Sequence, residues 1–238
     1  MRLDKFMSEM GVLSRKECAK AVKRGGITVN GVPQKRADVH IDPESDVIAL
    51  LGEVIKYSEF VYIMMNKPAG ILSATEDPKQ ETVLDLLPEK YKKMNLFPSG
   101  RLDKDTTGLL LLTNDGGLSH KLLSPKYHVE KSYSYSLRDE LEETERVKIC
   151  AGIDIGEKNL TAPAKITVGE DRRDGIITIT EGKYHQIKRM FAAVGNEIVK
   201  LERLTFGGLS LDPALERGEW RELTENEIET LRKNGETD

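Results

Sequence analysis

The chain has 238 residues, 38% of them hydrophobic and 32% charged, with a formal net charge of −4. Those proportions belong to a soluble globular protein rather than a disordered or fibrous one, and no run approaches the roughly 18 apolar residues that a membrane-spanning helix needs. Two distant cysteines (Cys18, Cys150) and four histidines offer no metal-ligand spacing, and the opening MRLDKFMSEMG lacks an apolar signal core, so a cytoplasmic location is expected.

The first segment reads as two short helices and a turn into a strand. Leu3, Phe6 and Met7 recur at helical spacing. Ser14 with Glu17 three residues later forms a capping box that opens a second helix over Arg15 to Lys23. Cys18, Ala21 and Val22 make its apolar stripe. Gly25-Gly26 ends it, and ITVNGVPQK is a strand, an Asn-Gly turn and a return strand. DVIALLGEVIK adds a second strand pair. Between Met1 and Arg36 there are nine basic and three acidic residues, whereas Asp212 to Asp238 holds nine acidic and four basic. The whole-chain charge therefore hides a basic head suited to a polyanion. A module of this size has a thin core and is expected to lean on a neighbour or a partner.

A boundary is expected at Tyr57 to Phe60, giving domains 1–59 and 60–238. Beyond it FVYIMMNKPAG is an apolar strand ending in a Lys-Pro loop, TVLDLLPEKY a short helix broken by Pro88, and LLLLTND a buried strand. GGLSHKLL is a helix, KSYSYSL a strand with one buried face, and Glu140 to Ile149 a helix. AKITVG and GIITIT are strands, and KYHQIKRMFAAVG is a helix opened by Gly182. EIVKLERLTFGGLSL gives two more strands and ENEIETLRK a closing helix. Strands outnumber helices and often follow one another, which predicts an α+β fold with a mixed, mostly antiparallel sheet.

Neither GxxxxGKS/T nor GxGxxG is present, so nucleotide hydrolysis has no support, and no GxSxG elbow anchors a serine nucleophile. The unusual stretch is SGRLDKDTTGLLLLTND, where Arg101, Asp103, Lys104 and Asp105 stand directly before the most apolar run. Asp103 and Asp105 share a face of an extended segment and could hold magnesium, but Arg101 and Lys104 already supply positive charge there. The alternatives are one activated Asp kept ionised by Arg101 or by Lys183, Lys188 or Arg189, or a turn in which Asp103 pairs with Arg101.

GRLDKDTTGLLLLTNDG is similar to the active-site motif of bacterial RNA pseudouridine synthases that modify ribosomal RNA. NKPAGILSA (Asn66 to Ala74) resembles that family's Lys-Pro motif, VEKSYSYSL its tyrosine strand, and EGKYHQIKRMFAAVGNEIVKL its third motif. The head, RLDKFMSEMGVLSRKECAKAVKRGGITVNG, resembles the small RNA-binding module first described in ribosomal protein S4. The ending LDPALERGEWRELTENEI and His185 look most like the RsuA-type branch, which acts on small-subunit ribosomal RNA. Large-subunit siblings more often read Asn-Arg-Gln where this chain has Tyr184-His185-Gln186.

The resemblance implies an isomerase that converts uridine to pseudouridine, with no metal or redox cofactor and with ribosomal RNA as partner; the segregated charge and thin head point to an assembling small subunit as the substrate particle. Monomer is the default expectation. It implies that Asp103 is the nucleophile, that Tyr133 packs against the extruded base, and that Lys188 pairs with Asp103, Arg189 being the substitute partner. Arg15, Lys16, Lys20, Arg24 and Lys35 are expected to meet phosphate from the head. Lys67, Arg101, Lys183 and Arg189 are expected to meet RNA near the catalytic loop. Three readings compete with this one: a large-subunit specificity, a non-catalytic RNA-binding assembly protein and, last, a metal-dependent nuclease.

Overall fold

The Ser14–Glu17 pattern caps a helix because each residue satisfies the other's exposed donor. The Glu17 amide donates to Ser14 Oγ at 3.3 Å, and the Ser14 amide donates to the Glu17 carboxylate at 2.8 Å. The helix it opens is α2 (Arg15–Lys23), preceded by α1 (Leu3–Glu9). The structure is a computed structural model that describes residues 1–235; Glu236 and Asp238 of the acidic C-terminal segment lie outside the described residues. β1 (Ile27–Val29) and β2 (Val32–Pro33) form the expected hairpin, with Asn30 and Gly31 both left-handed as its two-residue turn requires. β3 (Ile48–Leu50) and β4 (Glu53–Val54) complete a four-stranded sheet in the order β2-β1-β3-β4. Leu3, Phe6, Met7, Cys18, Val22, Ile27 and Ile48 fill the core beneath it. Burial pushes the Cys18 thiol up to about 11, aided by Asp4. Cys18 is therefore a core residue and not a nucleophile.

The chain divides into two units, Met1–Val61 with Leu84–Leu96, and Tyr62–Val83 with Phe97–Asp238. A single break near residue 59 therefore describes the division incompletely, because a later segment joins the first unit. Within that unit Gly11 approaches the segment so closely that a Cβ would lie 2.2 Å from the Lys90 carbonyl oxygen. The segment carries α3 (Glu89–Lys92), which corrects the helix expected over TVLDLLPEKY. Pro88 starts this helix instead of breaking an earlier one, since proline disfavours helical geometry in the residue before it.

The second unit is built on nine strands: β5 (Tyr62–Lys67), β6 (Phe97–Ser99), β7 (Thr107–Thr113), β8 (Lys131–Leu137), β9 (Lys165–Val168), β10 (Asp174–Ile179), β11 (Ile198–Phe206), β12 (Leu209–Ser210) and β13 (Trp220–Glu222). Their main path is β13-β5-β7-β11-β8-β10-β9, with β6 on β7 and β12 on β11. Only β7 and β11 run parallel, so the sheet is mixed and mostly antiparallel, as the α+β expectation has it. β7 is central, and Leu109 to Leu112 are fully buried. Each such leucine is worth roughly 1.5–3 kcal/mol of burial, which is why this strand reads as an unbroken apolar run. β6 and β13 escape prediction because three residues such as FPS or WRE carry no periodicity.

α4 (Gly116–Leu123) and α7 (Glu225–Asn234) fall where expected, each with a side-chain N-cap, Asp115 and Thr224. α5 (Glu143–Ala151) begins three residues later than expected, after a Glu142–Glu145 capping box. α6 (Gln186–Ala192) also begins late, because His185 is left-handed (φ 49°) and Gly182 to His185 form a loop. Among the described residues no helix is long and apolar enough to cross a membrane.

Candidate active site

The loop between Gly100 and Gly108 is held at the point where β7 meets β11. Gly108 has to be glycine: its φ is +98°, and a Cβ would lie 2.3 Å from the Arg203 carbonyl oxygen on β11. The loop itself is fastened from below. Ser73 Oγ donates to the Leu102 carbonyl at 2.9 Å, and the Gly70 amide donates to the Lys104 carbonyl at 2.8 Å. Lys67 Nζ donates to the carbonyls of Pro68, Lys104 and Thr106 at 2.9, 3.2 and 3.1 Å.

Lys67 corrects the expectation that it meets phosphate. It is fully buried, and its ammonium is used up on three carbonyls of the loop it supports. Burial pushes its pKa down to about 8, against the pull of Asp105 and Asp103. A buried cation beneath two carboxylates acts through its field and its hydrogen bonds to the loop.

Above the loop, Asp103 faces α6. Its Oδ2 lies 3.2 Å from Lys188 Nζ, and its Oδ1 lies 3.4 Å from His185 Nε2. The geometry thus selects Lys188 over Arg189 as the cation beside Asp103. Lys188 also donates to Asp105 Oδ1 at 2.5 Å, so one ammonium serves two carboxylates. Burial acts to lower the Lys188 pKa, and the hydrogen bonds to Asp105 and Asp103 outweigh it and raise it. Asp105 is held below the usual carboxylate range, chiefly by its hydrogen bond from Lys188.

Two further cations are corrected. Arg189 donates to the Glu157 carboxylate at 2.8 Å and to the carbonyls of Tyr184 and Ile155. Lys183 donates to the carbonyls of Asn159 and Leu160 and lies 3.7 Å from Glu181. Both are committed to holding the 155–160 segment against α6 and its approach, and neither presents a free cation for phosphate. Arg101 does: it is exposed at the edge of the cleft that also takes in Asp103, Tyr133, Ile179, His185 and Lys188. Tyr133 is buried on β8, opposite Arg203 of β11 and Ile177 of β10, so it forms part of the cleft wall.

His185 is the residue that the sequence reading did not place next to Asp103. A signal for it existed: His185 and Lys188 are three apart at a helix start and so lie on one face. In the N-terminal unit, Arg15, Lys16, Lys20, Arg24 and Lys35 are all exposed. None makes an ion pair among the described residues. Also among the described residues, no group of three or more His, Cys, Asp or Glu is placed to hold a metal ion.

This arrangement, a partly exposed carboxylate flanked by an ammonium and an imidazole in an open cleft, suits nucleophilic or acid–base work on a substrate entering from solvent. The RNA pseudouridylate synthase family model matches residues 61–193, and the S4 domain model matches residues 1–48. The chain is 50% identical over 234 residues to the uncharacterized RNA pseudouridine synthase YtzG of Bacillus subtilis, covering 97% of this chain and 98% of that protein. It is 43% identical over 235 residues to ribosomal small subunit pseudouridine synthase A of Haemophilus influenzae, covering 98% and 100%. A pseudouridylate synthase crystal structure matches with a TM-score of 0.68 at 42% identity, covering 97% of this chain and 99% of that one. With the motifs, the sheet and the cleft in agreement, the chain belongs to the RNA pseudouridylate synthase family and is an enzyme of that class, carrying an S4 domain at its N-terminus.

Proposed function

We propose that the protein isomerises one uridine of small-subunit ribosomal RNA to pseudouridine, with Asp103 as the nucleophile. The observation that carries this reading is the placement of Asp103 between Lys188 at 3.2 Å and His185 at 3.4 Å in a cleft walled by Tyr133. The target must leave its stack to reach that carboxylate, at a cost of a few kcal/mol. Tyr133 packs against the extruded base. Asp103 makes a transient bond to the nucleoside as the bond from ribose to the base nitrogen breaks; the uracil turns, a bond from ribose to carbon 5 forms, the carbon 5 proton leaves to solvent, the freed ring nitrogen takes up a proton, and the bond to Asp103 is broken again. The rearrangement is redox-neutral and returns Asp103 unchanged. Lys188 stands beside the Asp103 carboxylate and shares its charge in the transition state.

Arg101 meets the backbone beside the target. Arg15, Lys16, Lys20, Arg24 and Lys35 dock phosphates from the S4 domain; such contacts position RNA without reading its sequence. Relatives named for the small subunit at 40–43% identity favour that RNA over the large subunit. We further place the enzyme in the cytoplasm, as a monomer acting on an assembling small subunit.

The test is tritium release from 5-tritiated uridine in small-subunit and large-subunit RNA, with wild type and Asp103→Asn compared. Wild type is expected to release tritium from small-subunit RNA, and Asp103→Asn to be slower by roughly 10³-fold or more while still binding RNA. Release only from large-subunit RNA would move the substrate. Undiminished release by Asp103→Asn would remove Asp103 from the chemistry.

A further inference from the structure

Tyr184 is three-quarters exposed, the most exposed aromatic side chain among the large hydrophobics at the described surface. It is not loose. Its carbonyl accepts a hydrogen bond from Arg189 Nη1 at 2.9 Å, and that same nitrogen is held by Glu157 at 2.8 Å. The flanking Lys183 amide donates to Gln186 Oε1 at 2.9 Å, and Gln186 Nε2 donates to Glu181 at 2.6 Å. The next residue, His185, is held in the left-handed region at φ 49°, ψ 34°, which is uncommon for a residue with a side chain. That conformation turns the His185 ring under the Tyr184 ring, 3.9 Å centre to centre and 18° from parallel, while its Nε2 faces Asp103 at 3.4 Å.

We infer that the free face of Tyr184 stacks on a base of the substrate RNA next to the target uridine, and that the Tyr184–His185 stack transmits that base's position to Asp103. Strain at a non-glycine residue persists where the surroundings enforce it, and it clusters at functional sites. An exposed ring already fixed by its backbone loses little freedom on binding, so stacking on it yields more net affinity than stacking on a mobile one. A nucleobase fits this role because it is flat, apolar on its faces and unpaired once the neighbouring uridine has been extruded. Exposed Arg101 lines the cleft that takes in Asp103 and His185, beside Tyr184 in sequence, and neutralises the accompanying phosphate. Stacking is tolerant of base identity, so the contact fixes the placement of the strand more than its sequence. With aromatics only 5% of the chain, a single ring does this work and there is no extended platform. The inference rests on Asp103 being the reacting group only for its second half; the stacking contact stands independently.

The experiment uses a small-subunit RNA fragment containing the uridine that wild type modifies, together with versions carrying one abasic nucleotide on either side of it. Affinity is measured in the Asp103→Asn background, where turnover is expected to be slow on the timescale of binding, for Tyr184 as it stands, Tyr184→Phe and Tyr184→Ala. Tyr184→Ala is expected to weaken binding roughly five- to hundredfold, and Tyr184→Phe to restore it. One abasic position should weaken the Tyr184 protein and leave Tyr184→Ala unaffected, the signature of a direct pair. Equal losses at every abasic position in both proteins would overturn the contact. So would a Tyr184→Ala defect seen on assembly particles but absent on naked RNA, which would assign the ring to a protein partner. In proteins with native Asp103, His185→Ala should lower kcat with KM nearly unchanged. A KM effect alone would sever the link to Asp103 and leave the stack as binding only.

Discussion

On and just after α2, Arg15, Lys16, Lys20 and Arg24 are exposed and make no ion pair among the described residues. Around Asp103, Lys183, Lys188 and Arg189 each lie against a carboxylate, and Lys67 is sealed under the loop. The same residue types therefore serve two purposes. A free surface cation gains most by meeting phosphate and releasing counterions. A paired cation in a cleft would have to break its pair to do so, and it acts instead as part of a fixed local field. Under the proposed function the two regions divide the work, affinity falling to the S4 domain and rate to the cleft.

Lys188 is where the comparison can be broken most forcefully. Lys188→Met leaves Asp103 and Asp105 without their shared ammonium, and kcat is expected to fall roughly 10²–10³-fold, the usual cost of losing one preorganised charge donor. Single-turnover rates at saturating RNA check this. A rise in KM with kcat intact would place Lys188 among the phosphate ligands and erase the distinction between the two regions.

Lys67→Met is expected next. Three loop carbonyls lose their donor, and stability should drop by about 2–3 kcal/mol, read as a lower urea midpoint with an unchanged slope. A stable variant with weakened RNA binding would return Lys67 to the phosphate-binding group.

A smaller effect is expected from the double substitution Arg15→Ala with Lys20→Ala. RNA affinity should fall roughly tenfold at moderate salt, and the slope of log K against log salt should shrink by about 1.4–1.8. Rates at saturating RNA should not change. If kcat falls instead, the division between docking and chemistry fails.

The finest test concerns a second buried lysine. Burial pushes Lys131 down to about 8, with the nearby Arg203 charge adding to the effect. Its folded pKa thus lies below the unfolded value near 10.4. Between these values the unfolded chain binds more protons, so stability rises with pH from about 8 towards 10 and is flat in this respect below 8. Wild type should show this slope, at most about 1.4 kcal/mol per pH unit from this group, and Lys131→Met should lose that part of it. Identical slopes in the two proteins would mean that Lys131 is hydrated.

Elements with strong local signals were legible in the chain. The Ser14–Glu17 box, the Asn30-Gly31 turn, α4 and β8 each carry a cap, a turn pair or an alternation that acts over a few residues. α6 was legible in its body and misread at its start, because the hydrogen-bonded turn that holds His185 left-handed depends on Glu181 and Glu157, which local pattern does not reveal. β6 and β13 exist only because β7 and β5 offer them edges. Of the proposed site, Lys188 lies 3.2 Å from Asp103, whereas the internal contacts of Lys67, Lys183 and Arg189 are invisible in the chain, because every lysine and arginine looks solvated in a sequence.

The sequence by itself determined the α+β class, the basic head, the motif order and the candidate carboxylate, since hydrophobic period, caps and charge are properties of neighbouring residues. Only the tertiary structure decided which cations are spent and which are free. Burial of Lys67, the sharing of Lys188 between Asp103 and Asp105, and the turn of His185 onto Asp103 all join residues far apart in the chain. Whether a charge faces water or a carbonyl is set by what the fold packs against it, and that is a property of three dimensions.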